Sequence, residues 1–395
     1  MSHSPGKHID VAARLMSEFA ARTGLVRAVE HPRRYLWTDA FAVCNFLELS
    51  ARTGEQVYRD HAILLIDQVH HVLGRYREDD ARSGWISGFD EEKGRRHPTA
   101  GGLRIGKALR ERGDAEPFDE RLEWDRDGQY FHYLTKWMHA LCQTSLIEAK
   151  PAYARWAGEL ASAAYQGFGA ASASHRGLIG IYWKMSTDLS RPLVFAMSSH
   201  DVLDGFITFR EVQNAMTTAS GAEVNIREEI QSLAAPLTQD RSWATDDPLG
   251  LGGLLFDASR LCRLSENSHA DAELLDALLD GCSRGLASFL RARPLARRAS
   301  HRLAFRELGL AIGLKAVASI ASEITRRSFD NSAALRRATD WLLRHELLGA
   351  EIIDDWLSPA CQQDDSWRAH QDINDVMLAT ALIPDTFLSI GRPAR

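Results

Sequence analysis

Carboxylates, imidazoles and indoles recur in this sequence as short clusters, each where a helix should begin. Arg34-Tyr35-Leu36-Trp37-Thr38-Asp39 comes first, then the run from Glu123 and Trp124 through Asp127 to His132. His200 with Asp204 follows, then His301 to Glu307, and last Asp364 to Asp375 with Trp367 and His370. An acid at a helix start has a plain use as a cap, worth ~0.3–1 kcal/mol against the helix dipole. Asp247 before Pro248, and Asp365, fit that use. Clusters in which an acid stands beside His, Trp or Tyr fit a second one. Paired carboxylates transfer protons or attack carbon, and aromatic faces stack on sugar rings.

His200 and Asp204 are four residues apart and share one helix face. A carboxylate beside an imidazole raises its pKa and fixes its tautomer, which suits proton shuttling. Glu123, Trp124 and Asp125 read as an approach loop, with Asp127-Gly128 starting the helix that carries His132. That stretch is either a wall presenting an acid or base, or a charged loop anchored by a buried Trp124. Lys184, between Trp183 and Met185, either meets an anionic substituent or faces solvent. Gly101 to Ala108 nearly spells a phosphate loop, but Ala108 stands where the Mg²⁺-holding hydroxyl belongs and no buried strand leads in. This predicts no nucleotide, while leaving a basic loop (Arg95, Arg96, Arg104, Lys107, Arg110) able to grip an anion. Histidines without ligand spacing and the lack of a GxSxG elbow predict no metal, no cofactor and no serine triad.

The elements that must position these groups are helical. Apolar residues recur at helical spacing over Tyr35–Arg52, stopped by Thr53-Gly54, and over Glu55–Gly74. The same two-helix phrase returns at Asp127–Leu146 with Pro151–Phe168, and at Val202–Thr218 with Ala222–Leu237 after Ser220-Gly221. It returns again at Leu249–Leu264 with Ala270–Leu290, joined at Glu266–Ser268, and at Leu303–Ile324 with Ser332–Leu347, joined near Asp330-Asn331. Unpaired helices at His8–Arg22 and Asp365–Thr380 complete six hairpins if they meet. Arg155, Glu159, Arg336, Arg337 and Asp340 mark an outer layer. Gly205, Gly250, Gly252, Gly253, Gly309 and Gly313, costly inside helices, predict close backbone packing in an inner one. Long loops at 77–126 and 172–199 are expected to line a cleft; the second holds a short strand at Ile181–Met185.

The 395 residues carry 45% hydrophobic and 25% charged side chains and a net charge of −6, ordinary for a globular chain and lacking the basic excess of a nucleic-acid binder. No bilayer-spanning stretch is expected. Five dispersed cysteines predict buried thiols in a cytosolic protein.

In helix count, size and hairpin succession the chain resembles the all-α, (α/α)6-toroid carbohydrate enzymes, over nearly its whole length as a single domain (1–395). That resemblance implies a funnel at the inner-helix starts, with a sugar or oligosaccharide as substrate; the charge balance and the lack of a spanning stretch predict no nucleic-acid or membrane partner. It implies a glycoside hydrolase whose acid and base come from Glu123, Asp127, Asp204 or Glu307, with Trp37, Trp124 and Trp367 stacking sugars. Arg34 with Trp37, and His200 with its acid, are similar to features of the N-acylglucosamine 2-epimerase family, while His301 with Glu307 matches another of its pairs at different spacing. That resemblance implies a sugar epimerase or isomerase as the alternative, with His200 moving a proton. His370 falls before the last helix, where the family's late histidine follows it. A non-catalytic helical scaffold is the third expectation.

Overall fold

The computed structural model describes residues 5–26, 32–171, 178–219, 225–238, 242–265, 268–327, 329 and 331–390. The protein is mostly helical, and it divides into two compact units. One comprises residues 20–239; the other comprises 240–395 together with 1–19. The opening helix is α1 (Pro5–Arg22).

The 20–239 unit is built on two hairpins, α2 (Leu36–Thr53) with α3 (Gln56–Leu73), and, beyond the short helices α4 (Glu91–Arg96) and α5 (Glu120–Asp125) and strand β1 (Gln129–Tyr130), α6 (Phe131–Glu148) with α7 (Pro151–Phe168). Strands β2 (Gly169–Ala171), β3 (Leu178–Met185) and β4 (Pro192–Met197) follow, then α8 (Ser199–Thr218) and α9 (Arg227–Ala234). Helices α2, α6 and α8 pack side by side, with α3 against α2 and α7 against both α6 and α8. Local sequence sets the ends: Gly54 stops α2 at φ +74, a backbone that side chains rarely adopt, and Pro151 opens α7.

Three expectations change here. Helix α6 starts at Phe131 rather than Asp127, because Gln129 and Tyr130 pair with Met185 and Lys184 of β3. The strand expected at Ile181–Met185 is the centre of a four-stranded antiparallel sheet that also takes β2 and β4. The helix expected over Ala222–Leu237 is α9 alone, ending in a 3-10 turn at Ala235–Thr238; its first residues and Ser220-Gly221 lie outside the described residues.

The other unit holds α10 (Pro248–Leu264), α11 (His269–Ala292), α12 (Ala304–Arg327), α13 (Ser332–Leu343) and α14 (Glu346–Leu357). Short helices α15 (Pro359–Gln362) and α16 (Asp365–Arg368) lead to α17 (Gln371–Leu382) and α18 (Asp385–Leu388). The turns expected at Glu266–Ser268 and Asp330-Asn331 fall partly outside the described residues. Asp247 caps α10 by accepting from the Gly250 N–H at 2.8 Å. The last helix is capped by Asp364 rather than Asp365, and it breaks after Arg368. The helix expected over Ser332–Leu347 also breaks. The His345 ring lies 3.0 Å from the Trp341 carbonyl, an acceptor that helical continuation would use, while the His345 N–H turns to Leu342.

Helix α12 packs against α10, α13, α14 and α17 and is apolar on most sides. It is the one described helix long and apolar enough to cross a bilayer, where none was expected, and 61% of its most apolar window is buried. Its crossing with α10 uses the inner glycines: a Cβ on Gly252 would stand 2.0 Å from the Gly309 carbonyl oxygen, and one on Gly313 2.6 Å from the Gly252 Cα. Gly205 likewise meets Phe131, but Gly253 faces open space and has no packing role.

A buried histidine links this packing to pH. His70 on α3 accepts the Trp137 indole N–H at 3.1 Å, and burial pushes its pKa down to about 3. The folded state holds it neutral, whereas the unfolded chain protonates it near its ordinary value. Its contribution is therefore complete above pH ~6.5 and is lost as pH falls from there to about 3. Urea unfolding from pH 7 to 4 should show this decline, and His70→Gln, which keeps an acceptor without the charge, should make it shallower, with the depressed His132 contributing to what remains. An unchanged slope in the variant would remove His70 as the cause.

Candidate functional site

Several acids expected to do chemistry are instead held in the interior. Asp127 is fully buried, and its carboxylate takes the Arg104 guanidinium on one oxygen and the Gly106 and Lys107 N–H groups, at 3.0 and 3.3 Å, on the other. Arg77 approaches at 3.8 Å. Arg104 also donates to the Val72 and Arg75 carbonyls, so it caps the C-terminus of α3 while Asp127 anchors the loop around it. Glu123 is buried between Arg112 at 3.0 Å and Lys184 at 3.1 Å, and lies on α5 rather than on an approach loop.

Lys184 differs most from its expected place. Instead of facing solvent it is fully buried, donating to the Glu123 carboxylate and to the carbonyls of Glu123 and Arg126 at the end of α5. Burial lowers its pKa, and the neighbouring Glu123 opposes that shift. Its pairing with Tyr130 across β1 and β3 explains the position, which single-strand alternation does not reveal. Arg34 is also engaged, donating to the Thr23 and Arg33 carbonyls and lying 3.7 Å from Asp39.

Above this floor lies an aromatic face. Tyr130 ends β1, and His132, Tyr133 and Lys136 occupy the first turns of α6. The His132 and Trp183 rings lie near-parallel to that of Tyr130, at 5.5 and 5.6 Å between centroids. Trp124, exposed rather than the buried anchor considered above, meets Trp183 edge-on at 4.7 Å. Tyr133 touches His132 edge-on, and its hydroxyl is 2.7 Å from that of Tyr35. Trp37 is buried behind Tyr133 against Phe41.

The facing side of α8 supplies the acids. Asp204 accepts from Lys136 at 2.7 Å and from Thr135 and Thr208, and Asp201 lies 3.9 Å from His132 Nδ1. Asp201 and Asp204, and likewise His132 and Lys136, stand one helical turn apart, so the side-by-side packing of α6 and α8 joins two matched faces. His200 sits on the first turn of α8, partly exposed. Burial and the nearby Lys136 ammonium push the His132 pKa down to about 4, against the opposing pull of Asp204. His132 is thus a neutral imidazole, 30% exposed, set between the buried Tyr130 ring and the partly exposed Trp183 ring.

No family model matches the chain, and no curated protein matches it either. The chemistry therefore rests on these side chains.

The remaining expected residues belong to the other unit. Glu307 is buried, accepting from Nε and Nη2 of Arg302, whose Nη1 donates to Asp355, and from the Trp356 indole N–H at 2.8 Å. Trp367 is buried against Trp356, which leaves no ring face for a sugar. His301 and His370 are exposed, His370 edge-on to Phe305. Among the described residues no group of three or more His, Cys, Asp or Glu is placed to hold a metal. Cys44, Cys142, Cys262 and Cys282 are buried thiols; Cys361 is partly exposed.

Sequence reasoning therefore selected His132, Trp37, Trp124 and Asp204 but passed over Tyr35, Tyr130, Tyr133, Lys136 and Trp183. A signal was present: aromatic residues flank His132, and Lys136 follows it by four positions. What was missing was the strand pairing that brings Trp183 to the same turn.

Proposed function

We propose that the aromatic face of the 20–239 unit binds a sugar and that His132 moves a proton on it, as in an aldose–ketose isomerase or sugar epimerase. The observation that carries this reading is His132 itself, a neutral, partly exposed imidazole set among the Tyr130 and Trp183 rings with Asp201 beside it. A base must be unprotonated and within reach of its substrate proton. Stacking orients a pyranose or its open chain, and the Lys136–Asp204 pair supplies polar contacts to hydroxyls.

The hydrolase reading draws less support. It needs a carboxylic acid able to give up a proton, and Glu123 and Asp127 are each buried against arginine or lysine. We also propose an (α/α)6-toroid relationship for the hairpins, resting on their succession along the chain; a compact small-angle scattering profile tests it against an elongated array.

The functional test is deuterium incorporation from heavy water into free aldoses and ketoses, followed by NMR. Exchange should occur at the carbon next to the carbonyl, and His132→Gln should slow it about 100-fold or more, the usual scale for losing a general base. The rate should hold from neutral pH down to about 5 and fall as pH drops through about 4, where His132 becomes charged. Release of an aryl leaving group from a glycoside, with no exchange into any free sugar, would overturn the proposal in favour of hydrolysis.

A further inference from the structure

We infer that the ligand of the aromatic face carries an anionic group held by Lys107, an inference that rests on reading that face as a sugar site. Lys107 is half-buried, with its Nζ 5.4 Å from the centre of the Tyr35 ring. Tyr35 in turn shares a hydroxyl hydrogen bond with Tyr133, which borders His132. Lys107 therefore sits at one end of the same run of rings.

Its neighbours show why this ammonium stands apart. Along the segment from 104 to 112, Arg104 holds Asp127, Arg110 holds Glu116 and Arg112 holds Glu123. Among the described residues no carboxylate pairs with Lys107. A partly desolvated cation without a counter-ion is costly, and an incoming anion removes that cost.

The phosphate-loop-like run from Gly101 to Ala108 gains a meaning here. In a true phosphate loop the backbone amides receive the phosphate. In this chain the Gly106 and Lys107 amides are already taken by Asp127 from within. The backbone cradle is filled, which leaves the Lys107 side chain to meet the anion. A phosphate or a carboxylate on a sugar has the chemistry required.

Titration calorimetry, paired with quenching of tryptophan fluorescence, separates the possibilities. The probes are glucose and mannose, their 6-phosphates, and glucuronate. At low salt an anionic sugar should bind the wild-type protein about ten-fold tighter than its neutral parent, the scale of one charge-assisted hydrogen bond. That ratio should shrink as salt rises, fall towards one in Lys107→Gln and persist in Lys107→Arg. Preference for the phosphates or for glucuronate identifies the source of the anion. Equal binding of neutral and anionic sugars by the wild-type protein, or a ratio that survives in Lys107→Gln, overturns the role of Lys107 while the sugar site stands. Failure of every probe to bind overturns the sugar site and this inference with it.

Discussion

Asp127→Asn is expected to lower the unfolding free energy by about 3–5 kcal/mol, the usual cost of removing one partner from a buried ion pair. Asp127 is completely buried and the Arg104 guanidinium facing it nearly so, so solvent cannot replace the lost charge. The variant also weakens the acceptor that holds the Gly106 and Lys107 amides. Chemical denaturation at neutral pH reads the change. The double variant Asp127→Asn with Arg104→Met should lose less than the sum of the two single changes, because each single change strands the other group. A loss below about 1 kcal/mol in Asp127→Asn would show that Arg104 does not depend on it. This expectation differs from the one a catalytic Asp127 carries, in which turnover vanishes and the melting temperature stays put.

The second large effect belongs to the crossing of α10 and α12. Gly252→Ala places a methyl carbon where the Gly309 carbonyl oxygen already stands 2.0 Å away, and backbone cannot swing aside as a side chain can. The helices must separate along a line that also holds Gly313, at an expected cost of about 2–3 kcal/mol or more from overpacking. Gly253→Ala is the matched control. It lies one residue further on the same helix, meets nothing within 4 Å, and should raise stability by about 0.5–1 kcal/mol because alanine is the better helix former. Melting curves of the two variants must move in opposite directions; the same shift for both would remove the close crossing as the reason for Gly252.

Much of the helical framework was legible because its signals are local. The apolar spacing over α2, α3, α7, α10, α11 and α12, the stop at Gly54 and the opening Pro151 depend on neighbours a few residues away. Glycines at 252, 309 and 313 also pointed correctly to close packing. The errors arose where a distant partner overrode local preference. Asp127 does not begin a helix, because β3 captures the two residues after Gly128. Residues 332–347 do not form one helix, because the His345 ring competes for the Trp341 carbonyl.

The same division runs through the candidate site. The sequence alone established which residue types were available and roughly where two helices would present them: His132 near the start of one, and His200 with Asp204 on a face of another. It could not say that Lys184 and Glu123 would neutralise each other out of solvent, that Arg104 would claim Asp127, or that Lys107 would be left without a carboxylate among the described residues. Helical periodicity follows from the backbone repeat and is written into neighbouring residues. The pairing of charges depends on which segments, tens of residues apart, share one interior, and only the folded arrangement of α5, α6, α8 and the β-sheet decides that.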